Sequence, residues 1–357
     1  MRSWRHGSEE PVRSGQSSCI LKREVEESME LKPKLLLHLF AMPIVLAAMI
    51  VALPGAVCAQ QYPTQDIHFV CAFPAGGGAD VLVRYFGEKL RPLANRTIIV
   101  ENKAGAMGNI ATEYTARAKP DGYTIYVHAA SAVAANMHIF KKPPVDAGKA
   151  IQIAATINLQ PFMLVVSAKS PYKTVAELTA AMKQKGTKAS YATSASNGTV
   201  MGEIYKARTG IQAVEIVYKG APDSLNELLS GKTDYGMLDP AFSMAQVREG
   251  RLRVLAVSGG KRLQASPDIP TMKESGVPMD LTGWWAAMVP AATPKPVVMK
   301  INQWFTQIVR TDETKKFLNS FGGDPFTISP EEAQTLFLKT IREWEEYVRI
   351  AKIEPKG

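Results

Sequence analysis

Phe73-Pro74-Ala75-Gly76-Gly77-Gly78-Ala79-Asp80 is the stretch that decides how this chain reads. It lies between an apolar run, Ile67 to Phe73, and a segment with helical spacing, Val81 to Leu93. The order is strand, glycine turn, helix. Glycines there let the backbone adopt conformations closed to other residues and bring bare N–H groups close to a ligand. The helix behind the turn adds its own unpaired N–H groups and a partial positive charge. Such a corner takes an anion, a carboxylate or a phosphate. A tight turn without a ligand leaves the same pattern, so the rest of the chain has to arbitrate.

The first 59 residues read as a leader. Residues 1–28 are polar and charged; from Met29 the character changes, with Lys32 and Lys34 ahead of an apolar Leu35 to Leu53. Val57 and Ala59 supply small residues flanking a cut before Gln60. This is the pattern of a secretory signal peptide over about 29–59. Met29 then reads as the true start, and residues 1–28 as an over-extended frame. A retained membrane anchor and a lipoprotein attached at Cys58 compete with this reading. Pro43 and Pro54 argue against the first, and Val57, where a lipobox wants a smaller residue, against the second. The chain is expected to be exported, with cleavage near Ala59.

Cysteine and charge are consistent with export. Cys19 and Cys58 fall in or before the leader, which leaves Cys71 alone within the first strand. One thiol makes no internal disulfide, and Cys71 is expected to pack as a small apolar residue. The chain carries 42 Lys+Arg against 33 Asp+Glu. That excess suits an anionic solute or an acidic partner. Nucleic acid is not expected, because the basic residues are dispersed and lack interleaved aromatics.

Past the leader, short β-rich runs alternate with helical segments. Strands are expected over 67–73, 97–101, 124–128, 151–157, 162–167, 189–192, 214–218, 235–238, 254–258 and 285–289. Helices are expected over 81–93, 110–118, 175–185, 200–209, 223–230, 243–249, 296–310, 312–321 and 330–350. This alternation means an α/β fold with mainly parallel sheets, which binds ligands outside the carboxyl ends of its strands. Thr174 with Glu177, and Ser329 with Pro330, mark helix starts; Gly210 and Gly322 mark stops. Length allows two domains, and without an obvious linker the chain is expected to cross between them more than once.

A second loop, Tyr191 to Thr199, is rich in hydroxyls and enters a helix at Val200. It suits a carboxylate, or is a solvated turn with Thr199 as N-cap. A third, Glu101 to Asn109, repeats strand, glycine loop, helix. Walker A and dinucleotide spacings are absent from these loops. His68, His128 and His138 stand without metal-ligand spacing, and Ser170-Pro171-Tyr172-Lys173 lacks its companion motifs. No cofactor, metal or catalytic residue is expected. A hydrolase or transferase using the glycine loop as an oxyanion site remains a rival, with His128 or His138 bonded to a cleft serine as its signature.

Several stretches recur in order: the loop at 73–80, Glu101 to Asn109, Pro120-Asp121-Gly122-Tyr123-Thr124, Asn197-Gly198-Thr199, Tyr218-Lys219-Gly220, Leu252 to Val257 and Asp268-Ile269-Pro270-Thr271. On these the chain resembles the Bug-type periplasmic receptors of tripartite tricarboxylate transporters, over essentially all of 62–357. The resemblance implies a type II periplasmic binding protein fold, two α/β domains joined by a hinge around a ligand cleft. The domains are placed at 62–165 plus 286–357, and at 166–285. It implies a small organic carboxylate as ligand, transporter membrane components as partners, and a monomer. A receptor that presents its closed form to a sensor is the alternative to transport. The family's grip maps onto Ala75, Gly76, Gly77, Gly78, Ala79 and Asp80 on one side, and Ser196, Asn197, Gly198 and Thr199 on the other. Ser131 and Asp239 match two further positions. Ala75 and Ala79 depart from the family's Pro and hydroxyl residue, Lys103 to Gly108 departs from its Pro-Gly-Ala-Gly-Gly run, and the second loop is one residue longer. Asp80 and Asp239 either face a cationic end of the ligand, as in an amino acid, or hold loops and cap helices, which leaves room for a plain dicarboxylate or aromatic acid. Trp284 and Trp285 are expected at the return crossing.

Overall fold

The computed structural model describes residues 62–76, 78–218 and 220–357. The expected leader and its cleavage point lie outside them, as does Gly77.

In chain order the elements are β1 (Ile67–Cys71), α1 (Gly78–Ala94), β2 (Ile98–Asn102), α2 (Asn109–Ala116), β3 (Thr124–Ala129), α3 (Ala130–Ile139), α4 (Ala147–Ala150), β4 (Ile151–Leu159), β5 (Met163–Ser167), α5 (Val175–Lys185), β6 (Ser190–Thr193) and α6 (Ser196–Thr209). There follow β7 (Val214–Val217), α7 (Ala221–Ser230), β8 (Tyr235–Leu238), α8 (Pro240–Arg248), β9 (Leu252–Val257), β10 (Trp284–Pro290), α9 (Lys295–Val309), α10 (Asp312–Ser320), β11 (Asp324–Pro325) and α11 (Pro330–Ile350). The strands form two sheets, in the orders β11-β4-β10-β3-β1-β2 and β7-β6-β8-β5-β9. They are mixed and not mainly parallel as expected, because the strands beside the crossings, β4, β10, β5 and β9, pair antiparallel while β1, β2, β3 and β6, β7, β8 pair parallel.

Burial explains why these runs are strands. Ile67, Phe69, Val70 and Cys71 of β1 are fully buried, because helices cover both faces of the sheet. The Cys71 thiol sits in this core as expected, and burial pushes its pKa up. The α1 helix buries Leu82, Val83, Phe86 and Leu90 at three- and four-residue steps, the stripe of an amphipathic helix. Thr174 accepts from the Glu177 N–H, and Ser329 and Glu332 close a reciprocal box.

The sequence reading missed α3, which runs Ala-Ser-Ala-Val-Ala-Ala-Asn-Met-His-Ile. It is small and apolar nearly all round, packed between α11 and its own sheet. A helix buried on most of its faces has no polar stripe to betray its period.

Two connections join the halves, and they lie side by side. The first runs from β4 to β5 through Gln160, Pro161 and Phe162; the second returns from β9 to β10. Gln160 N–H donates to Gly283 O at 2.6 Å, and Phe162 and Ser258 exchange hydrogen bonds. A Cβ on Gly283 would stand 2.5 Å from the Gln160 carbonyl, so the close approach needs glycine.

Candidate ligand site

The first loop and the α6 start both lie at carboxyl ends of strands, where an α/β sheet leaves room for a ligand. The helices begin earlier than the sequence periodicity suggests. Gly78, Ala79 and Asp80 form the first turn of α1, and Ser196 to Thr199 the first turn of α6. A helix start leaves its leading N–H groups without helical partners, so Gly78 and Ala79, and Ser196 and Asn197, present donors there.

Asp80 is not the N-cap of α1; it holds the loop. Its Oδ2 accepts from the Gly76 N–H at 2.9 Å and from Arg84 Nε at 2.8 Å, and its Oδ1 from Asn102 Nδ2 at 2.8 Å. Burial pushes the carboxyl up, but the hydrogen bonds from Arg84, Asn102 and Gly76 outweigh it and hold the pKa at about 2. The Gly76 N–H is therefore taken up within its own loop. Asp239 caps α8, accepting from the Phe242 N–H at 2.9 Å.

Thr199 is also placed differently from the expected cap. The N-cap of α6 is Ala195. The Thr199 hydroxyl donates to Glu215 at 2.5 Å, and the Thr193 hydroxyl to the same oxygen at 2.6 Å. Thr199→Ala is expected to lower stability by about 1.5 kcal/mol, the low end for a hydrogen bond to a charged group, and to change carboxylate affinity less than about threefold. Denaturation of Thr199→Ala, Glu215→Gln and the double variant, with calorimetric titration, checks this. A large affinity loss in Thr199→Ala alone would return the hydroxyl to the ligand.

Ser131 occupies the first turn of α3, and its Oγ accepts from the Trp284 N–H at 3.4 Å. It shares a cavity of about 150 Å³ with Asn197, Gly283 and Trp284. Ser131 and Asn197 of the predicted site therefore share a cavity beside the crossings, and no residue of the 75–80 loop lines it. A larger depression of about 590 Å³, lined by His68, Tyr114 and Arg117, lies at the amino ends of β1 and β3. None of the loop residues lines it.

Behind the first loop sits His128. Its ring packs 5.1 Å from Phe73, 5.1 Å from Tyr126 and 5.6 Å from Trp285. Among the described residues Nδ1 has no partner and neither His128 nor His138 is bonded to a serine. Burial presses the His128 pKa down to about 3. An unfolded histidine titrates near about 6.5. As pH falls below that value the unfolded chain takes up a proton that the folded chain refuses. Stability then drops by up to about 1.4 kcal/mol per pH unit until pH nears the folded pKa. His128→Leu should flatten this slope in denaturation series between pH 7 and pH 4; an unchanged slope would assign the acid lability elsewhere.

The model for the tripartite tricarboxylate transporter family receptor, TctC, matches residues 82–353. The chain belongs to this family. Among its relatives, the protein BugT of Bordetella pertussis is 27% identical over 297 residues, spanning 82% of this chain and 91% of BugT. Among solved structures, the one described as R. palustris Rpa4515 with adipate is 27% identical with a TM-score of 0.75, covering 83% of this chain and 100% of that one. The periplasmic binding protein BugD gives 27% identity and a TM-score of 0.72, with the same coverage. The two-sheet α/β architecture is thus that of the TctC and Bug receptors.

Proposed function

We propose that this TctC-family receptor captures a small organic carboxylate in the periplasm and delivers it to the membrane components of a tripartite transporter. Two helix starts, at Gly78 and Ser196, carry the reading: each lies at the carboxyl end of a strand, in two sheets joined by adjacent crossings, and the one charge in the α1 start, Asp80, is taken up by Arg84, Asn102 and the Gly76 N–H. Backbone donors and helix dipoles bind a carboxylate without burying a cationic partner, whose desolvation is costly. The grip uses the free N–H groups of Gly78, Ala79, Ser196 and Asn197, with Ser131 near the crossing. In this reading residues 62–165 plus 286–357 form one domain and 166–285 the other, and they close over the ligand about the paired crossings. The receptor is exported by its leader and acts as a monomer.

Asp80 and Asp239 are both engaged in holding a loop and capping a helix. Neither is left to meet an ammonium group, which favours a plain dicarboxylate or aromatic acid over an amino acid. The adipate of the Rpa4515 structure is a dicarboxylate of this kind. A thermal-shift panel of adipate, malate, aromatic acids and amino acids tests the reading. Stabilisation by dicarboxylates or aromatic acids is expected. Stabilisation by amino acids alone overturns the ligand preference, and failure of every carboxylate overturns the receptor's substrate class.

A further inference from the structure

The run Gly105-Ala106-Met107-Gly108 has four consecutive positive φ angles: 128°, 44°, 54° and 93°. Glycine adopts these without strain, but alanine and methionine do not. A left-handed non-glycine residue persists only where its surroundings impose it, and such residues gather at functional sites. The surroundings here are explicit. Asn136, buried in α3, donates from Nδ2 to the Met107 carbonyl at 2.9 Å and to Asn109 Oδ1 at 2.9 Å. The Thr112 hydroxyl donates to the Gly108 carbonyl at 3.1 Å. The backbone is therefore fixed, and it directs the Met107 side chain outwards.

That side chain reaches the other half of the molecule. Met107 belongs to the loop after β2 in the first sheet, whereas Ser196 opens α6 beside the second. The Ser196 hydroxyl donates to Met107 Sδ at 3.7 Å. Lys356 Nζ approaches the same sulfur at 4.0 Å. The C-terminal segment is held in place by its own backbone, with Lys356 N–H on Ile139 O at 2.7 Å and Lys141 N–H on Lys356 O at 2.9 Å. One sulfur thus receives a donor from the gripping helix and another from the C-terminal segment.

We propose that Met107 is a positioning residue that latches the two halves together through Ser196, so that it sets how slowly a captured carboxylate leaves. The proposal rests on the receptor reading above. A weak hydrogen bond to sulfur does not hold the halves shut by itself. It biases an opening equilibrium, and a contact that must break during opening acts on dissociation more than on association.

Met107→Gly is the informative variant, because glycine relaxes the left-handed backbone while removing the side chain. Its thermal midpoint is expected to equal or exceed that of the wild type, so a failure to fold does not confuse the result. Spin labels on non-natural ketone residues at exposed positions Glu88 and Lys183, one in each half, report the separation without ligand. The glycine variant should show a longer or broader distance distribution than the wild type. With adipate as probe, stopped-flow measurements should give dissociation roughly threefold faster and association unchanged. Met107→Leu keeps the bulk and loses the acceptor, so it should follow the glycine variant. Leucine behaving as wild type overturns the sulfur contact. Wild-type distances in Met107→Gly overturn the latch. If adipate does not bind, the ligand assignment fails, while the ligand-free distances still decide the latch.

Discussion

Gly198→Val will abolish carboxylate binding while leaving a folded protein. Gly198 is buried in the first turn of α6, and a Cβ there would stand 2.4 Å from the Met237 carbonyl oxygen and 3.6 Å from the Phe162 ring. Its φ is not in the left-handed region, so the need for glycine is one of space. Met237 belongs to β8, the central strand of the second sheet, with hydrogen-bonded neighbours on both sides. A carbonyl in that position does not move aside, so the start of α6 must. Displacement by even half an ångström misaims the Ser196 and Asn197 N–H groups. Overpacking of this kind costs about 1–3 kcal/mol of stability, and affinity should fall more than about a hundredfold. Gly198→Ala should lie between the wild type and valine in both respects. Calorimetric titration with the best ligand of the panel, alongside circular dichroism, reads both. Near-wild-type affinity in the valine variant would remove the α6 start from the grip.

The fold was legible where chemistry repeats along the chain. The ten expected strands are all present, because each is a short apolar run bounded by turns, and β8 at Tyr235–Leu238 matches to the residue. The two-residue β11 was not readable, since Asp324-Pro325 carries no strand signal of its own. Helix starts were harder than helix bodies. Val81 and Val200 begin the apolar periods, but the backbone turns three or four residues earlier, at Gly78 and Ser196. Those added residues carry the proposed grip, and the earlier start changes the chemistry: Asp80 is a loop holder and Thr199 a partner of Glu215. Glu215 was invisible as a site neighbour because the link runs between adjacent strands, from Thr193 in β6 to β7. Met107 was equally hidden, since no local pattern announces a side chain that crosses to another half of the molecule.

The Asp80 carboxylate is the other point of high leverage. It connects four places at once. Gly76 lies in the middle of the loop, Arg84 one turn along α1, and Asn102 at the end of β2, while the same Asn102 amide donates to the Phe73 carbonyl at the start of the loop at 2.9 Å. The helix dipole adds a favourable field for a negative charge in the first turn. Asp80→Ala removes the acceptor for all three donors and leaves the Gly76 N–H and the Asn102 amide without it. Arg84 is half exposed and turns to water, so its share of the loss is screened. The net effect expected is about 3 kcal/mol of stability, within the range for breaking a buried charged pair from one side. Loss of carboxylate binding should accompany it, because the Gly78 and Ala79 donors no longer have a fixed position. The pH signature distinguishes this from a general weakening. The folded pKa, at about 2, lies below the unfolded value, so Asp80 contributes its stability fully above about pH 4 and loses it as pH falls through about 2. Asp80→Asn should remove that acid-sensitive contribution and keep part of the loop, since its amide oxygen still accepts one bond. Titration of both variants with the best ligand, and denaturation from pH 7 to pH 2, measures each effect separately. If Asp80→Ala loses stability and still binds carboxylate with wild-type affinity, the first loop is a structural corner and the grip belongs to α6 alone.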